Sequence, residues 1–142
     1  MRHSEEELLR IITADFERNH AGRDYDLSRA IDNYRAWEKA EPGNFTIHAP
    51  ETAFVCRWDS PDTVEFHSIN GGTGRDLTDG VTELCLELRR LEAHKAVTYY
   101  DTPKVNQLLK FVKFPSYCER VDGGVDRTFK ATFTLRNDLW DF

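Results

Sequence analysis

The sequence predicts one α/β (α+β) domain over residues 1–142, with a mixed central sheet flanked by helices. The length of 142 residues is typical of one domain. Hydrophobic residues make up 39% and charged residues 31%, the balance of a globular protein. Segments with helical periodicity also alternate with short segments rich in β-branched and aromatic residues, which is typical of mixed α and β structure.

Two helices are predicted at the start of the chain. The pattern Ser4–Glu7 is a capping box, and an apolar stripe with helical spacing follows it until residues 20–22. A second helix begins after Asp24 or Asp26 and ends at Pro42–Gly43.

After residue 43 the helical spacing of the apolar residues ends, and short segments rich in β-branched and aromatic residues predict three consecutive strands. Turn signals at Pro50–Glu51 and at residues 60–62 separate them, so we expect an antiparallel meander. The predicted strands are Asn44–His48, Thr52–Trp58 and Thr63–Ile69.

The second half begins with the glycine-rich stretch Gly71–Gly74 and continues into the longest helical stripe. That stripe consists of Leu77, Val81, Leu84, Leu88 and Leu91. A strand follows at Ala96–Tyr100. Because the helix before it is a crossover, this strand should lie parallel to and beside the strand that ends at Ile69.

The last part of the chain predicts a short helix and a hairpin. Thr102 caps the short helix, with Pro103 at its first position. Two strands, Ser116–Val121 and Arg127–Leu135, are joined by the turn residues 122–124. The predicted order of elements is ααβββαβαββ.

Composition excludes several classes of function. A net charge of −6 argues against general nucleic-acid binding, which needs a basic surface. No apolar run is long enough to span a bilayer, and the N-terminus lacks the apolar core of a signal peptide, so we expect a cytoplasmic protein. The scattered histidines and cysteines show no metal-ligand spacing, and Cys56, Cys85 and Cys118 are expected to be buried thiols.

The element order over residues 4–135 resembles the GNAT family of N-acetyltransferases, without a counterpart of that family's usual first strand. The best local match is Ala96–Phe114, where Thr102 stands at the place of a family Asn and Phe114 at that of a family Phe. Gly72–Gly74 fits the glycine portion of the family's pyrophosphate loop, although Ile69 replaces the usual Gln or Arg.

The resemblance implies that acetyl-CoA is the acyl donor. The residues that it implies for binding are Ile69, Gly72, Thr73, Gly74, Arg75 and Thr102. Glycines let backbone amides face an anion, and the following helix adds its positive end. Asp76 and Asp79 would repel a diphosphate, so the alternative is a simple strand-to-helix turn.

The family often carries a catalytic carboxylate on its third meander strand, which implies Glu65 here. Glu65 and His67 alternate with apolar residues and share one face of the strand, so they could act together as a base. The alternative is that both lie on a solvated face.

The residue that acts as the general acid in GNAT enzymes has a poorer match in this sequence. Leu109 stands where GNAT enzymes often have a Tyr, and Lys113 replaces the Gly before Phe114. Tyr100 is therefore the substitute acid that we consider first, with Tyr99 and Cys118 behind it. The alternative is that the tyrosines are partly buried strand residues and the thiol belongs to the core.

Three functions follow from these residues. The first is an acyl-CoA-dependent N-acyltransferase, with a small-molecule or protein amine as acceptor. The second is a non-catalytic assembly component, since small phage-encoded GNAT-like virion proteins also have Leu in place of the Tyr. The third is an acyl-CoA-binding module without turnover.

The assembly hypothesis implies a homo-oligomer or a phage protein partner, in the host cytoplasm or the virion. Its candidate surfaces are Tyr34 with Trp37 on the second helix and Trp140 with Phe142 at the C-terminus. The alternative for the C-terminal pair is that the tail folds back and covers an edge of the sheet or an open patch of core.

Overall fold

The computed structural model describes residues 1–19, 26–40, 42–125 and 127–136. The elements are α1 (Glu5–Asn19), α2 (Leu27–Lys39), β1 (Asn44–Ala49), β2 (Thr52–Ser60), β3 (Thr63–Asn70), α3 (Gly74–Arg90), β4 (Lys95–Tyr100), α4 (Lys104–Leu109), β5 (Ser116–Arg120) and β6 (Phe129–Thr134). This order and the predicted fold class are confirmed. The predicted end of α1 at residues 20–22, the alternative cap Asp24 and the pair Trp140 and Phe142 lie outside the described residues.

The six strands form one mixed sheet in the order β1-β2-β3-β4-β6-β5. β3 and β4 are parallel neighbours, as predicted from the crossover through α3, and the other pairs are antiparallel. The parallel pair is short. Its register covers only Thr63–Glu65 against Lys95–Val97, so the two strands separate beyond Glu65.

Local side-chain bonds explain where the helices begin. Ser4 Oγ accepts a hydrogen bond from the amide of Glu7 at 3.1 Å, and the Asp26 carboxylate accepts one from Arg29 at 2.7 Å. The predicted start of α4 was one residue early. Pro103 precedes the first helical residue, and Thr102 Oγ1 accepts only a long bond of 3.4 Å from the amide of Lys104.

The closing hairpin is also shorter than predicted. β6 begins at Phe129 rather than Arg127, because the carbonyl of Arg127 closes the turn by accepting a bond from Gly123 at 2.8 Å. Leu91, the last residue of the predicted apolar stripe, lies just past α3 and is exposed.

Both faces of the sheet carry packed side chains. The larger core lies between the sheet and α3 with α4, and includes Phe54, Phe66, Leu84, Leu88 and Phe133. A smaller core lies between the sheet and α1 with α2, and includes Leu8, Ile12, Tyr34 and Ala53.

The cysteine prediction was right at two positions and wrong at the third. Cys56 and Cys85 are buried, and burial raises the pKa of the Cys85 thiol to about 12. Cys118 is exposed because it lies on β5, an edge strand whose residues are all exposed. The sequence could not show that this strand lies at the edge of the sheet.

Candidate functional site

A cleft of about 790 Å³ opens where β3 and β4 separate, and we call it the central cleft. Its walls are the later part of β3, the end of β4, the loop after β3 with the first turns of α3, and α4. Asp15, Arg18 and Asn19 of α1 complete it. Six of the residues predicted from the sequence line this cleft, namely His67, Gly72, Thr73, Gly74, Tyr100 and Thr102.

The glycine loop is fixed by side chains that sequence reasoning did not identify. The buried Asn70 accepts a bond from the amide of Gly72 at 2.9 Å and donates one to the carbonyl of Thr73 at 3.0 Å. Arg18 donates to the carbonyl of Gly72 at 2.6 Å, and Asp15 accepts from the amide of Asn70 at 3.0 Å. An Asn before two glycines is a recognisable turn signal in the sequence. No local sequence signal shows that Arg18 and Asp15 of α1 bond to this loop.

The first turn of α3 offers donors for an anion. Thr73 caps the helix, and the carboxylate of Asp76 accepts bonds from the Thr73 amide at 2.8 Å and its hydroxyl at 3.0 Å. These bonds lower the pKa of Asp76. Within the described residues, the next two amides, those of Gly74 and Arg75, have no hydrogen-bond acceptor. They lie at the positive end of a helix of 17 residues.

The close packing of this loop depends on glycine. A Cβ atom on Gly72 would lie 2.3 Å from the Asp76 carboxylate, and one on Gly74 would lie 3.1 Å from Leu108. Besides Arg18, the cationic side chains nearby are Arg75, which lies 3.8 Å from Asp79 and is 89% exposed, and Lys104, which lines the cleft. The amides of Gly74 and Arg75 with these cations fit a diphosphate, whereas the Asp76 carboxylate already uses the amide of Thr73.

Glu65 lies at the centre of a charged cluster on the face of the sheet that α1 and α2 partly cover. Its side chain is 7% exposed, so the solvated alternative is wrong for this residue. Arg57 donates to one carboxylate oxygen at 2.8 Å, and Arg127 donates to the other. Arg127 also lies over the ring of Tyr99, 3.9 Å from its centroid. Both carboxylate oxygens of Glu65 are therefore engaged by arginines.

His67 is on the same face as Glu65 and is the more accessible of the two. Its Nε2 lies 3.7 Å from Glu65 Oε1, and half of its side chain is exposed. Desolvation lowers the pKa of His67, an effect that Glu65 partly offsets. The imidazole is therefore neutral near pH 7 and can accept a proton.

Tyr100 reaches α4 from the opposite face of the sheet. Its hydroxyl donates to Asn106, and its ring stacks on Phe129 with centroids 5.6 Å apart. Burial, with a smaller contribution from Cys118, raises the pKa of Tyr100, so the phenol keeps its proton. Leu109 is buried and forms part of the cleft wall near it.

Ile69 lies apart from the other predicted binding residues. Its side chain packs against the smaller core and lines a second cavity of about 220 Å³ between the sheet, α1 and α2, which we call the side pocket. The side chain is on the face of β3 opposite that of Ser68 and Asn70. The Ile69 side chain is therefore not part of the central cleft.

In residues 1–19, 26–40, 42–125 and 127–136, no helix is both long and apolar enough to cross a membrane. No group of three His, Cys, Asp or Glu side chains in those ranges could hold a metal ion.

The sequence matches no protein-family model, and no curated protein matches it significantly. Its structure, however, is similar to solved structures whose descriptions name acetyltransferases. YncA from Salmonella typhimurium, whose structure contains acetyl-CoA as its cofactor, aligns with a TM-score of 0.59 and 14% identity over 96% of this chain and 93% of that one.

Two other solved structures give the same result. An N-acetyltransferase from Staphylococcus aureus Mu50 aligns with a TM-score of 0.57 and 12% identity over 95% of this chain and 97% of its own. The ribosomal-protein-S18-alanine N-acetyltransferase from Escherichia coli aligns with a TM-score of 0.56 and 9% identity over 100% of this chain and 97% of its own. This chain has the fold of the GNAT N-acetyltransferases.

Proposed function

We propose that this protein is an acyl-CoA-dependent N-acyltransferase and that its acyl donor is acetyl-CoA. The observation that carries the proposal is the separation of β3 from β4 after three paired residues. It opens a cleft that runs from the glycine loop at the start of α3 to α4. When bound, acetyl-CoA supplies an activated thioester carbonyl.

The glycine loop binds the diphosphate in this proposal. The amides of Gly74 and Arg75 donate to it, and the positive helix end and the side chains of Arg75 and Lys104 balance its charge. The bonds from Asp15, Arg18 and Asn70 hold the loop in place before any ligand arrives, which lowers the entropy cost of binding.

His67 is the general base in this proposal, and Glu65 is a positioning residue. Both oxygens of Glu65 already accept hydrogen bonds from arginines, and Glu65 is not among the residues that line the central cleft. His67 lines the cleft and is half-exposed, and its lowered pKa leaves the imidazole unprotonated, so a ring nitrogen is available to the proton of an attacking amine.

Tyr100 is the general acid in this proposal, because Leu109, which stands at the usual acid position of the family, has no proton to donate. When the N–C bond of the product replaces the C–S bond of the thioester, His67 would take the proton of the amine and the Tyr100 hydroxyl would give its proton to the leaving thiolate. The raised pKa of Tyr100 keeps that proton in place until then. In the resting protein this hydroxyl donates to Asn106, so it has to turn from Asn106 towards the sulfur when it acts as the acid.

The roles of His67 and Tyr100 are tested by chromatographic measurement of CoA release from acetyl-CoA in the presence of a panel of primary amines. We expect His67→Gln to lower kcat by about 10² or more, the usual contribution of a general base, with a smaller effect on KM. Gln107→Ala is the control, since Gln107 is exposed on α4 and bonds only Lys110 in the described structure. A His67→Gln protein with parental kcat would remove His67 from the mechanism.

A second candidate function is supported by two specific observations. The usual acid position holds the buried Leu109, and the carboxylate of Asp76 occupies the Thr73 amide in the anion loop. Both would suit a protein that has kept the fold without the reaction, either an acyl-CoA-binding module or an assembly component of a phage particle. Such a component would use a second copy or another phage protein as its partner, in the host cytoplasm or the virion. Acetyl-CoA binding without CoA release would favour the module, and absence of binding would favour the assembly component.

A further inference from the structure

From the position of the side pocket we infer that the acceptor is a primary amine carrying an apolar group the size of an aromatic ring. This inference rests on the proposed function, because it assigns the amine to His67. It is carried by the way in which the side pocket and the central cleft meet at that residue.

His67 lies between the two cavities. It lines the central cleft, whereas its cross-strand partner Val55 and its same-face neighbour Ile69 both line the side pocket. An amine nitrogen at His67 therefore borders the central cleft on one side, and a substituent on its carbon chain can enter the side pocket on the other.

The lining of the side pocket suits an apolar group. Its two largest aromatic side chains have turned their polar atoms away into the protein. Trp37 Nε1 donates to the carbonyl of Cys56 at 3.3 Å, and the Tyr34 hydroxyl lies 2.9 Å from His48 Nε2. The ring faces that remain, together with Val55 and Ile69, present an apolar wall, and the polar side chains of the described lining besides these two rings are Asp15 and Asn33.

The size of the pocket sets the size of the group. Its volume is about 220 Å³. An apolar cavity of about 150 Å³ holds benzene. A phenyl ring or a branched aliphatic chain of similar volume therefore fits, whereas a methyl or hydroxymethyl group leaves most of the pocket unfilled.

Charge at the junction suits a cationic amine. Asp15 lines both cavities, and its Oδ1 is held by the amide of Asn70 at 3.0 Å and by the side chain of Asn19 at 3.2 Å. A fixed carboxylate at this point attracts the ammonium form of the acceptor before it loses its proton to His67.

The test measures the binding of 2-phenylethylamine and ethylamine by calorimetry, without acetyl-CoA. We expect 2-phenylethylamine to bind on the order of ten to a hundred times more tightly, from burial of the ring. Ala30→Phe fills the side pocket from α2 and should abolish that preference. Ala36→Phe is the matched control, since Ala36 is exposed on the same helix, and it should keep the preference.

Each result is decisive. Equal affinity for the two amines in the parental protein, an unchanged preference in Ala30→Phe, or an equal loss in both variants would overturn the inference. Ala30→Leu serves if Ala30→Phe does not fold, as judged by thermal denaturation. Titration of acetyl-CoA into the same samples separates the two proposals. If the aromatic amine binds and acetyl-CoA does not, the acyltransferase proposal fails. If acetyl-CoA binds and the protein binds 2-phenylethylamine no more tightly than ethylamine, only the inference about the acceptor fails.

Discussion

Replacement of Glu65 by Gln separates a structural carboxylate from a catalytic one. The carboxylate is 7% exposed and accepts hydrogen bonds from Arg57 and Arg127, whose side chains are 49% and 42% exposed. A buried hydrogen bond to a charged group contributes about 1.5–3 kcal/mol, but the exposed guanidinium groups can return to water when the carboxylate is lost. Gln also keeps the volume and one acceptor oxygen.

We therefore expect Glu65→Gln to lower the free energy of unfolding by about 2 kcal/mol, and the melting temperature by roughly 5–8 °C for a domain of this size. The assay is urea denaturation at pH 7 with a thermal scan. Glu87→Gln is the matched control, because Glu87 forms an exposed pair with Arg90 at 2.9 Å, and its loss should cost less than about 0.5 kcal/mol. A Glu65→Gln protein as stable as the control would refute the structural role. If that protein also lost turnover by about 10², Glu65 rather than His67 would be the base.

Two further predictions concern stability. Burial, with repulsion from His3 and Arg2, lowers the pKa of His48 from 6.5 to about 4, so the unfolded chain binds a proton that the folded chain does not between those values. This contribution to stability is complete above pH 6.5 and is lost as the pH falls to 4, by about 3 kcal/mol in total. Urea midpoints from pH 4 to pH 7 check this, and a His48→Gln variant with the same slope would contradict it. A Cβ on Gly80 would lie 2.5 Å from Thr52 Oγ1, so Gly80→Ala should destabilise the protein by about 1–3 kcal/mol rather than give the usual helical gain. Thermal denaturation compares Gly80→Ala with the double variant Gly80→Ala/Thr52→Ala, which removes the Thr52 Oγ1 that the new Cβ would meet. A higher melting temperature for the single variant than for the parental protein would refute the clash.

The order of the elements could be predicted because it depends on local signals. The change from helical to strand periodicity after Pro42–Gly43 and the glycine stretch before α3 each act within a few residues. The parallel pairing of β3 with β4 then followed from the chirality of crossover connections, and the structure confirms it.

The surroundings of the candidate site could not be predicted because they depend on contacts between distant residues. Arg127 lies 62 positions from Glu65, and Arg18 lies 54 positions from Gly72. The alternation along β3 predicted that Glu65 and His67 share a face, but not that arginines cover one of them. The exposure of Cys118 depends on the place of β5 in the sheet, which the sequence of that strand does not encode.

In the proposed function, the glycine loop and the central cleft bind acetyl-CoA. Calorimetric titration of acetyl-CoA into the parental protein and three Gly74 variants tests it most directly. Gly74→Ala adds only a Cβ near Leu108, Gly74→Gln adds bulk, and Gly74→Glu adds the same bulk with a negative charge at the proposed diphosphate position.

We predict saturable binding to the parental protein, weaker binding in the order Ala, Gln, Glu, and no measurable binding to a folded Gly74→Glu protein. Added salt screens the negative charge of the Glu variant, so the affinity of that variant for acetyl-CoA should come closer to the affinity of the Gln variant. Absence of binding to the parental protein, or equal affinity in the parental and Gly74→Glu proteins, would contradict the account and show that residues 71–74 are only a turn between β3 and α3.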